Sequence, residues 1–483
     1  LINFGTDGWR GIIADDFTVE NVRLVTQAVC DYVLGAKAGG SREKPGLIIG
    51  YDTRFLSDLF AREAACVAAA NGIGVLLAEQ AAPTPAVSYA VVDNKADGAI
   101  MFTASHNPYR YNGLKFKASF GGSAGPEITS AIEKHLAKNT AAGKEPLIES
   151  YETAAQTGLI TMFDPKPRYL KRLGELVDTG VIAGKRQRVV VDPMYGAGRG
   201  YLSEFLRGAG CDVIEIHDTR DPYFGGGRPE PLGQHLGDLM DAVRDEAVMG
   251  IALDGDADRI GAVDANGEFV SSHQIIALLL RYLHQEKGYT GDVVKTVSTT
   301  GMVDILAAEY GLVLHETPIG FKYICDKMLA CDVLIGGEES GGIGVKGHIP
   351  ERDGMLMGAL LVEMTSHYGR DLNELWQELQ EAYGYFHYDR VDLVVDADSR
   401  SDMMAFLNEY TPGEIEGIAV KARKTDDGFK FCLADDSWLM IRPSGTEPVV
   451  RVYCESGTPE QVKSLLAAGV GILGRFTADP EKQ

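Results

Sequence analysis

The chain has 483 residues, 45% of them hydrophobic and 24% charged, and a formal net charge of −23. That length exceeds a single core and calls for three or four domains of ordinary globular composition. The charge excludes non-specific nucleic-acid binding and docking to an anionic membrane, and no run reaches the roughly 18 apolar residues of a membrane helix. Seven cysteines, an odd number with no Cys-x-x-Cys pair, fit reduced thiols and a cytoplasmic setting better than disulfides or zinc.

In chain order, a glycine-punctuated polar loop, Phe4 to Gly11, comes first and carries Arg10. A helix is predicted over about 18–34, with Val22, Val25, Val29 and Val33 on one face. Leu47 to Tyr51 reads as a strand and Asp52 to Arg54 as a loop. Ser57 is expected to cap a helix running to Asn71, before the strand Val75 to Ala78. The apolar run Gly98 to Phe102 reads as a buried strand ending in Thr103-Ala104-Ser105-His106-Asn107-Pro108. A serine leaving a strand on a sharp Asn-Pro turn is held at the lip of a sheet, where ligands bind in α/β domains. Lys115 follows shortly after and can return an ammonium to the same place.

The strand–loop–helix–glycine–strand order recurs from Arg188 to Ile216 and from Asp292 to His315. Units so far apart are domains rather than stacked repeats. The expected boundaries are 1–150, 151–264, 265–384 and 385–483. A helix starts at Asp164-Pro165, and Asn266-Gly267 marks a hairpin at the second join. Helices are expected from about Met355 and Asp371. After Tyr385 the pattern turns β-rich, with helices near Ser401 to Tyr410 and after Pro459, as in a smaller α+β domain.

Four loops carry the chemistry. Asp254-Gly-Asp256-Ala-Asp258-Arg259 follows the apolar run Met249 to Leu253. Three carboxylates at alternate loop positions repel one another unless a cation sits between them, and hard oxygens favour Mg²⁺, Mn²⁺ or Ca²⁺. An EF-hand is excluded, because its glycine position is Arg259 and its bidentate glutamate position is Ala265. Arg442-Pro-Ser444-Gly445-Thr446-Glu-Pro448 joins two strands and makes an anion nest that suits a phosphate. It lacks the Gly-Lys-Ser/Thr of a nucleotide-triphosphate loop. Gly336-Gly-Glu338-Glu339-Ser340-Gly-Gly342 offers groups that suit vicinal sugar hydroxyls. His348 and Arg352 follow it, and Thr317 to Gly320 is another polar strand end. The set points to phosphoryl transfer to or from a polyhydroxyl substrate.

At these residues the chain resembles the α-D-phosphohexomutase family, most closely its phosphoglucomutase/phosphomannomutase members. Thr103 to Pro108 is similar to the family's phosphoserine loop and Asp254 to Arg259 to its metal loop. Glu338 to Ser340 matches the sugar loop and Arg442 to Pro448 the phosphate loop. The resemblance implies three similar α/β domains with mixed sheets and a smaller C-terminal α+β domain around a central cleft. It implies Ser105 as the phosphorylated nucleophile and Mg²⁺ held by Asp254, Asp256, Asp258 and the phosphoserine. Lys115 and Arg10 would flank the transferring group, with Lys115 the favoured proton carrier, activated by nearby cations and desolvation, and His348 a second candidate. His106, Arg259, Thr317, Gly320, Glu338, Ser340 and Arg352 would contact the sugar phosphate. Arg442, Ser444, Gly445 and Thr446 would hold the phosphate that is not reacting.

The implied reaction interconverts hexose 1-phosphate and hexose 6-phosphate, glucose ahead of mannose. Hexose 1,6-bisphosphate would be both intermediate and activator. The enzyme would be a monomer or homodimer whose partner is a phosphosugar, with no nucleic acid or membrane. The sugar loop departs from the Glu-Gln-Ser-Gly-His pattern typical of phosphoglucosamine mutases, which argues against that member. A metal-dependent sugar phosphatase with a covalent phosphoserine is the rival chemistry.

Overall fold

The computed structural model describes residues 2, 8–37, 45–395, 399–444, 449–474 and 476. The chain divides into a first unit of Leu1–Val294 with Gly320–Leu375 and a second of Lys295–Ile319 with Trp376–Gln483.

In the first unit, β1 (Trp9–Ile12), β2 (Gly46–Tyr51), β3 (Gly74–Ala78), β4 (Gly98–Phe102), β5 (Tyr111–Ala118) and β6 (Ile160–Phe163) build one sheet, ordered β1-β5-β4-β2-β3-β6. β2 runs parallel to both β3 and β4, whereas β5 is antiparallel to β4 and to β1. Every residue of β4 is buried, as an unbroken apolar run requires in a covered strand. The predicted stripe of Val22, Val25, Val29 and Val33 packs into this core with Phe60 and Phe102. Ser57 does not cap its helix. It is the first residue of Ser57–Ala70, after a left-handed Leu56 with no side-chain cap. Its hydroxyl instead donates to Asp52 Oδ1 at 2.9 Å, because a buried carboxylate needs donors.

A second mixed sheet is made by β7 (Arg188–Asp192), β8 (Asp212–Glu215), β9 (Met249–Leu253), β10 (Ile260–Val263) and β11 (Phe269–Val270), ordered β11-β10-β9-β7-β8. The Asn266-Gly267 turn joins β10 to β11 in the antiparallel hairpin expected there. β12 (Asp292–Thr296) straddles the division in sequence, and β13 (Leu314–Thr317) lies in the second unit, two residues later than its apolar run suggests. Back in the first unit, β14 (Val333–Gly337) pairs antiparallel with β15 (Ile343–Val345). The helix Gly354–Tyr368 then starts at Asp353, whose carboxylate accepts from the Leu356 N–H at 2.9 Å.

The second unit contains an antiparallel sheet of β16 (His387–Val394), β17 (Glu414–Ile415), β18 (Ile418–Lys424), β19 (Phe429–Leu433), β20 (Trp438–Pro443) and β21 (Val449–Ser456). Its core joins Phe431, Leu439, Ile441 and Val452 to Leu407 and Leu465 of the helices Arg400–Glu409 and Pro459–Leu473. Among the described residues, no helix is long and apolar enough to cross a membrane. All seven cysteines are free thiols.

Candidate active site

The strand ends of the first unit bring together one cluster of candidate site residues. Beyond β4 the chain reverses at Ser105, whose φ of 53° is rare for a residue with a side chain. The Thr103 hydroxyl accepts from the Ser105 N–H at 2.9 Å and supports that turn. The Ser105 hydroxyl is fully buried, donates to Asp254 Oδ2 at 2.7 Å and lies 3.3 Å from His106 Nδ1. Beyond β9, Asp254, Asp256 and Asp258 are all buried, with one oxygen of each within 4.8 Å of the others. The two loops meet at Gly255. A Cβ there would lie 2.5 Å from the Ser105 carbonyl oxygen, so only glycine lets the serine reach the carboxylates.

Lys115 reaches the same cluster from β5 and bonds Asp256 Oδ2 at 2.9 Å and Asp258 Oδ2 at 3.0 Å. These partners are the carboxylates of Asp256 and Asp258, where the sequence reading expected nearby cations. Arg352 Nε lies 2.8 Å from Asp258 Oδ2, and its Nη1 lies 3.5 Å from Glu338 Oε2. The other oxygen of Glu338 accepts from the Gly320 N–H at 2.9 Å. Arg10 donates to Asn107 Oδ1 at 2.6 Å, and the Arg259 N–H donates to Asp254 Oδ1 at 3.1 Å. Ser340 is half-buried two residues beyond Glu338. The structure thus connects Ser105, the acidic triad, Lys115, Arg259, Arg352, Glu338 and Gly320 through direct contacts.

Burial and the two neighbouring acids push the Asp254 carboxyl well above the usual carboxylate range. Burial opposes ionisation of Asp256 as well, but Lys115 and the Thr84 hydroxyl outweigh it and hold that group low. Glu338 is pushed up to about 7 by burial, despite Arg352 beside it. The acidic triad fits a divalent cation. Asp256 Oδ1 and Asp258 Oδ1 are buried and accept no hydrogen bond, which leaves hard oxygens ready for an ion.

His348 lies elsewhere in its loop. Its side chain is 1% exposed, its Nε2 lies 3.0 Å from Asp353 Oδ2, and Tyr89 and Tyr169 pack against it. The Tyr169 hydroxyl donates to the same Asp353 carboxylate at 2.7 Å. These contacts tie His348 to the helix-capping carboxylate of Asp353.

Sequence reasoning missed Arg54, which is wholly buried behind the serine loop. Its guanidinium donates to the carbonyls of Ser105, Asn107, Pro108 and Tyr111 at 2.6, 2.7, 3.0 and 2.9 Å, and pairs with Asp52. The only sequence signal is an arginine three residues past the end of β2, on the same lip as the serine.

In the second unit, Thr317 ends β13 and its hydroxyl donates to the Lys295 carbonyl at 3.4 Å. Arg442 pairs with Asp427, and the buried Ser444 accepts from Arg400 through its carbonyl. Gly445 and Thr446 lie outside the described residues.

Four profiles of the phosphoglucomutase/phosphomannomutase family match the chain in order. They are the alpha/beta/alpha domains I, II and III at residues 1–143, 167–267 and 271–383, and the C-terminal domain at 407–470. A phosphoglucomutase/phosphomannomutase from Thermococcus kodakarensis is 31% identical, over 97% of this chain and 98% of its own. A phosphoglucosamine mutase from Frankia alni is 34% identical over 94% of each. The crystal structure of a "putative phosphomannomutase" from Thermus thermophilus superposes with a TM-score of 0.85 at 34% identity, covering 98% of this chain and 99% of that one. Three α/β/α domains, a C-terminal antiparallel domain and whole-length relatives agree: the chain belongs to the α-D-phosphohexomutase family and is a phosphohexomutase.

Proposed function

We propose that this phosphohexomutase interconverts hexose 1-phosphate and hexose 6-phosphate, with glucose the preferred sugar and mannose accepted, through phosphorylated Ser105. The observation that carries the reading is the Ser105 hydroxyl at 2.7 Å from Asp254 in a buried triad of carboxylates. In the first half-reaction the 6-hydroxyl oxygen of hexose 1-phosphate bonds to the phosphorus as the Ser105–phosphorus bond breaks. The product is hexose 1,6-bisphosphate and a free serine. After the bisphosphate has turned end for end, the Ser105 oxygen takes the 1-phosphoryl group and hexose 6-phosphate leaves. The net reaction is an isomerisation, and the phosphoryl on the serine is restored.

The chain's own groups supply orientation and charge. Mg²⁺ held by Asp254, Asp256, Asp258 and a phosphoserine oxygen would neutralise the phosphoryl group in transfer. Lys115 is our candidate to take the hydroxyl proton, which it can do only as the neutral amine. His348 is a weaker candidate, since both its acidic and aromatic neighbours engage it structurally. Glu338 and Ser340 would hold sugar hydroxyls, and Thr317 and Gly320 are proposed as further sugar contacts. Arg10, His106, Arg259 and Arg352 would face the phosphoryl, and Arg442 with Ser444 the distal phosphate. Glucosamine phosphate is the competing substrate, because relatives named for it match as well as the glucose/mannose ones.

The test is turnover of the 1-phosphates of glucose, mannose and glucosamine by the wild-type chain and by Ser105→Ala. Glucose 1-phosphate is expected to turn over fastest, to need catalytic hexose 1,6-bisphosphate and to release negligible inorganic phosphate. Ser105→Ala is expected to lose turnover and keep sugar-phosphate binding. Normal turnover by that variant would sink the nucleophile assignment, and faster glucosamine turnover the sugar assignment.

A further inference from the structure

The hairpin turn between β18 and β19 carries Asp427, a carboxylate with two partners far apart in sequence. Its Oδ2 accepts from the Ile319 N–H at 2.7 Å, and its Oδ1 accepts from Arg442 Nε at 2.8 Å. All three residues belong to the second unit. Ile319 lies two residues past Thr317, at the end of β13, and Arg442 stands on β20, one residue before its end at Pro443. The ion pair is mostly shielded, with 18% and 19% of the two side chains exposed. The next residue, Gly428, has a φ of 85°, and a Cβ there would lie 2.9 Å from the Ile441 carbonyl oxygen and 3.0 Å from Arg442 Cβ. Only glycine lets the turn lie this close to β20, which aims Asp427 at the Arg442 guanidinium.

We propose that Asp427 is a positioning residue for the mutase reaction: its carboxylate orients Arg442 toward the non-reacting phosphate and ties it to the Thr317–Ile319 strand end. The proposal rests on the reading of Arg442 as a phosphate ligand. A long guanidinium side chain binds phosphate well only when its plane is set beforehand, because otherwise ordering it opposes binding. A carboxylate beside Arg442 also cancels part of its charge. The two effects have opposite signs. If Asp427 were only a counter-charge, removing its charge would tighten phosphate binding. If it positions Arg442, removing it weakens binding. Its second bond, to the Ile319 N–H, gives the guanidinium a fixed reference on the strand end expected to line the sugar.

The experiment titrates inorganic phosphate and glucose 6-phosphate into the full chain by calorimetry. It compares wild type, Asp427→Asn, Arg442→Gln and the double variant, with steady-state kinetics alongside. Asp427→Asn is expected to weaken both ligands on the order of tenfold, the loss typical of one charge-assisted bond. KM should rise with it while kcat changes far less. The double variant should bind no more weakly than Arg442→Gln alone, since Asp427 acts through Arg442. Asp427→Glu, which keeps the charge and shifts its reach, should fall between wild type and Asp427→Asn. It stands in if the asparagine variant fails to fold. Unchanged or tighter phosphate binding in Asp427→Asn, or additive losses in the double variant, would overturn the proposal. An unchanged affinity in Arg442→Gln would instead remove the phosphate reading of Arg442. Absence of mutase turnover in wild type would remove the functional reading while the phosphate titration still decided the role of Asp427.

Discussion

Arg54 makes the clearest residue-scale argument. A fully buried cation is tolerable only when paired and saturated with acceptors, and Arg54 has Asp52 and four loop carbonyls. Three of those carbonyls, of Ser105, Asn107 and Pro108, belong to the turn that holds Ser105 at a positive φ and the fourth opens β5, so the arginine stabilises a backbone shape the loop would not adopt alone. Arg54→Met removes the charge and leaves Asp52 and the carbonyls unpaired. It is expected to destabilise the first unit by roughly 3–5 kcal/mol, the usual cost of breaking a buried pair. Urea unfolding followed by a probe in that unit is the measurement, and an unmoved midpoint would refute the role. Arg54→Lys should recover little, because an ammonium cannot reach four separated carbonyls as a planar fork does.

At the scale of elements, the readable parts were those where one strand and its following loop suffice. β4 and β9 appear in sequence as unbroken apolar runs, and the serine and acidic loops begin where those runs stop. β18 is less legible, although apolar and charged residues alternate from Val420 to Arg423. It is half-exposed, and its Ile418 to Lys424 stretch has too few apolar residues to stand out. Arg54, Thr84 and Asp427 are equally invisible, because each bonds a residue distant in sequence and only packing brings the pair together. The same holds for Glu338. Its loop reads as polar, yet the fold buries it between Gly320 and Arg352 and pushes its carboxyl up to about 7. The folded value lies above the ordinary 4.5, so the native chain holds the extra proton between those two pH values. That contribution to stability is present below 4.5 and is gone once pH has risen through about 7. With Glu338 holding sugar hydroxyls as proposed, the sign for binding is the reverse, because the ionised carboxylate is the better acceptor of their protons. KM for glucose 1-phosphate is therefore expected to rise as pH falls through about 7. Glu338→Gln should flatten that limb while leaving the limb set by the substrate phosphate, and an identical profile in the variant would remove Glu338 from the account.

On the scale of the whole molecule, a chain with a net charge of −23 must admit a dianionic substrate. The cations that would receive it are few and local: Arg10, Lys115, Arg259 and Arg352 all lie within the contact network of the first-unit site. Which field the approaching substrate feels depends on ionic strength. The Debye length is about 30 Å at 0.01 M salt, so the whole acidic surface contributes, and about 8 Å at 0.15 M, where only groups lining the site do. Raising salt over that range should screen the long-range repulsion before it screens the close contacts. The second-order constant kcat/KM for a hexose phosphate is thus expected to increase with potassium acetate up to about physiological ionic strength, and to fall beyond it as the local pairs weaken. The outcome separates two arrangements of charge. A monotonic fall from the lowest salt would mean that the site's cations project past the acidic surface and steer the substrate from a distance. A rise followed by a fall would mean that capture is local, and that the acidic exterior slows encounter without weakening the bound state.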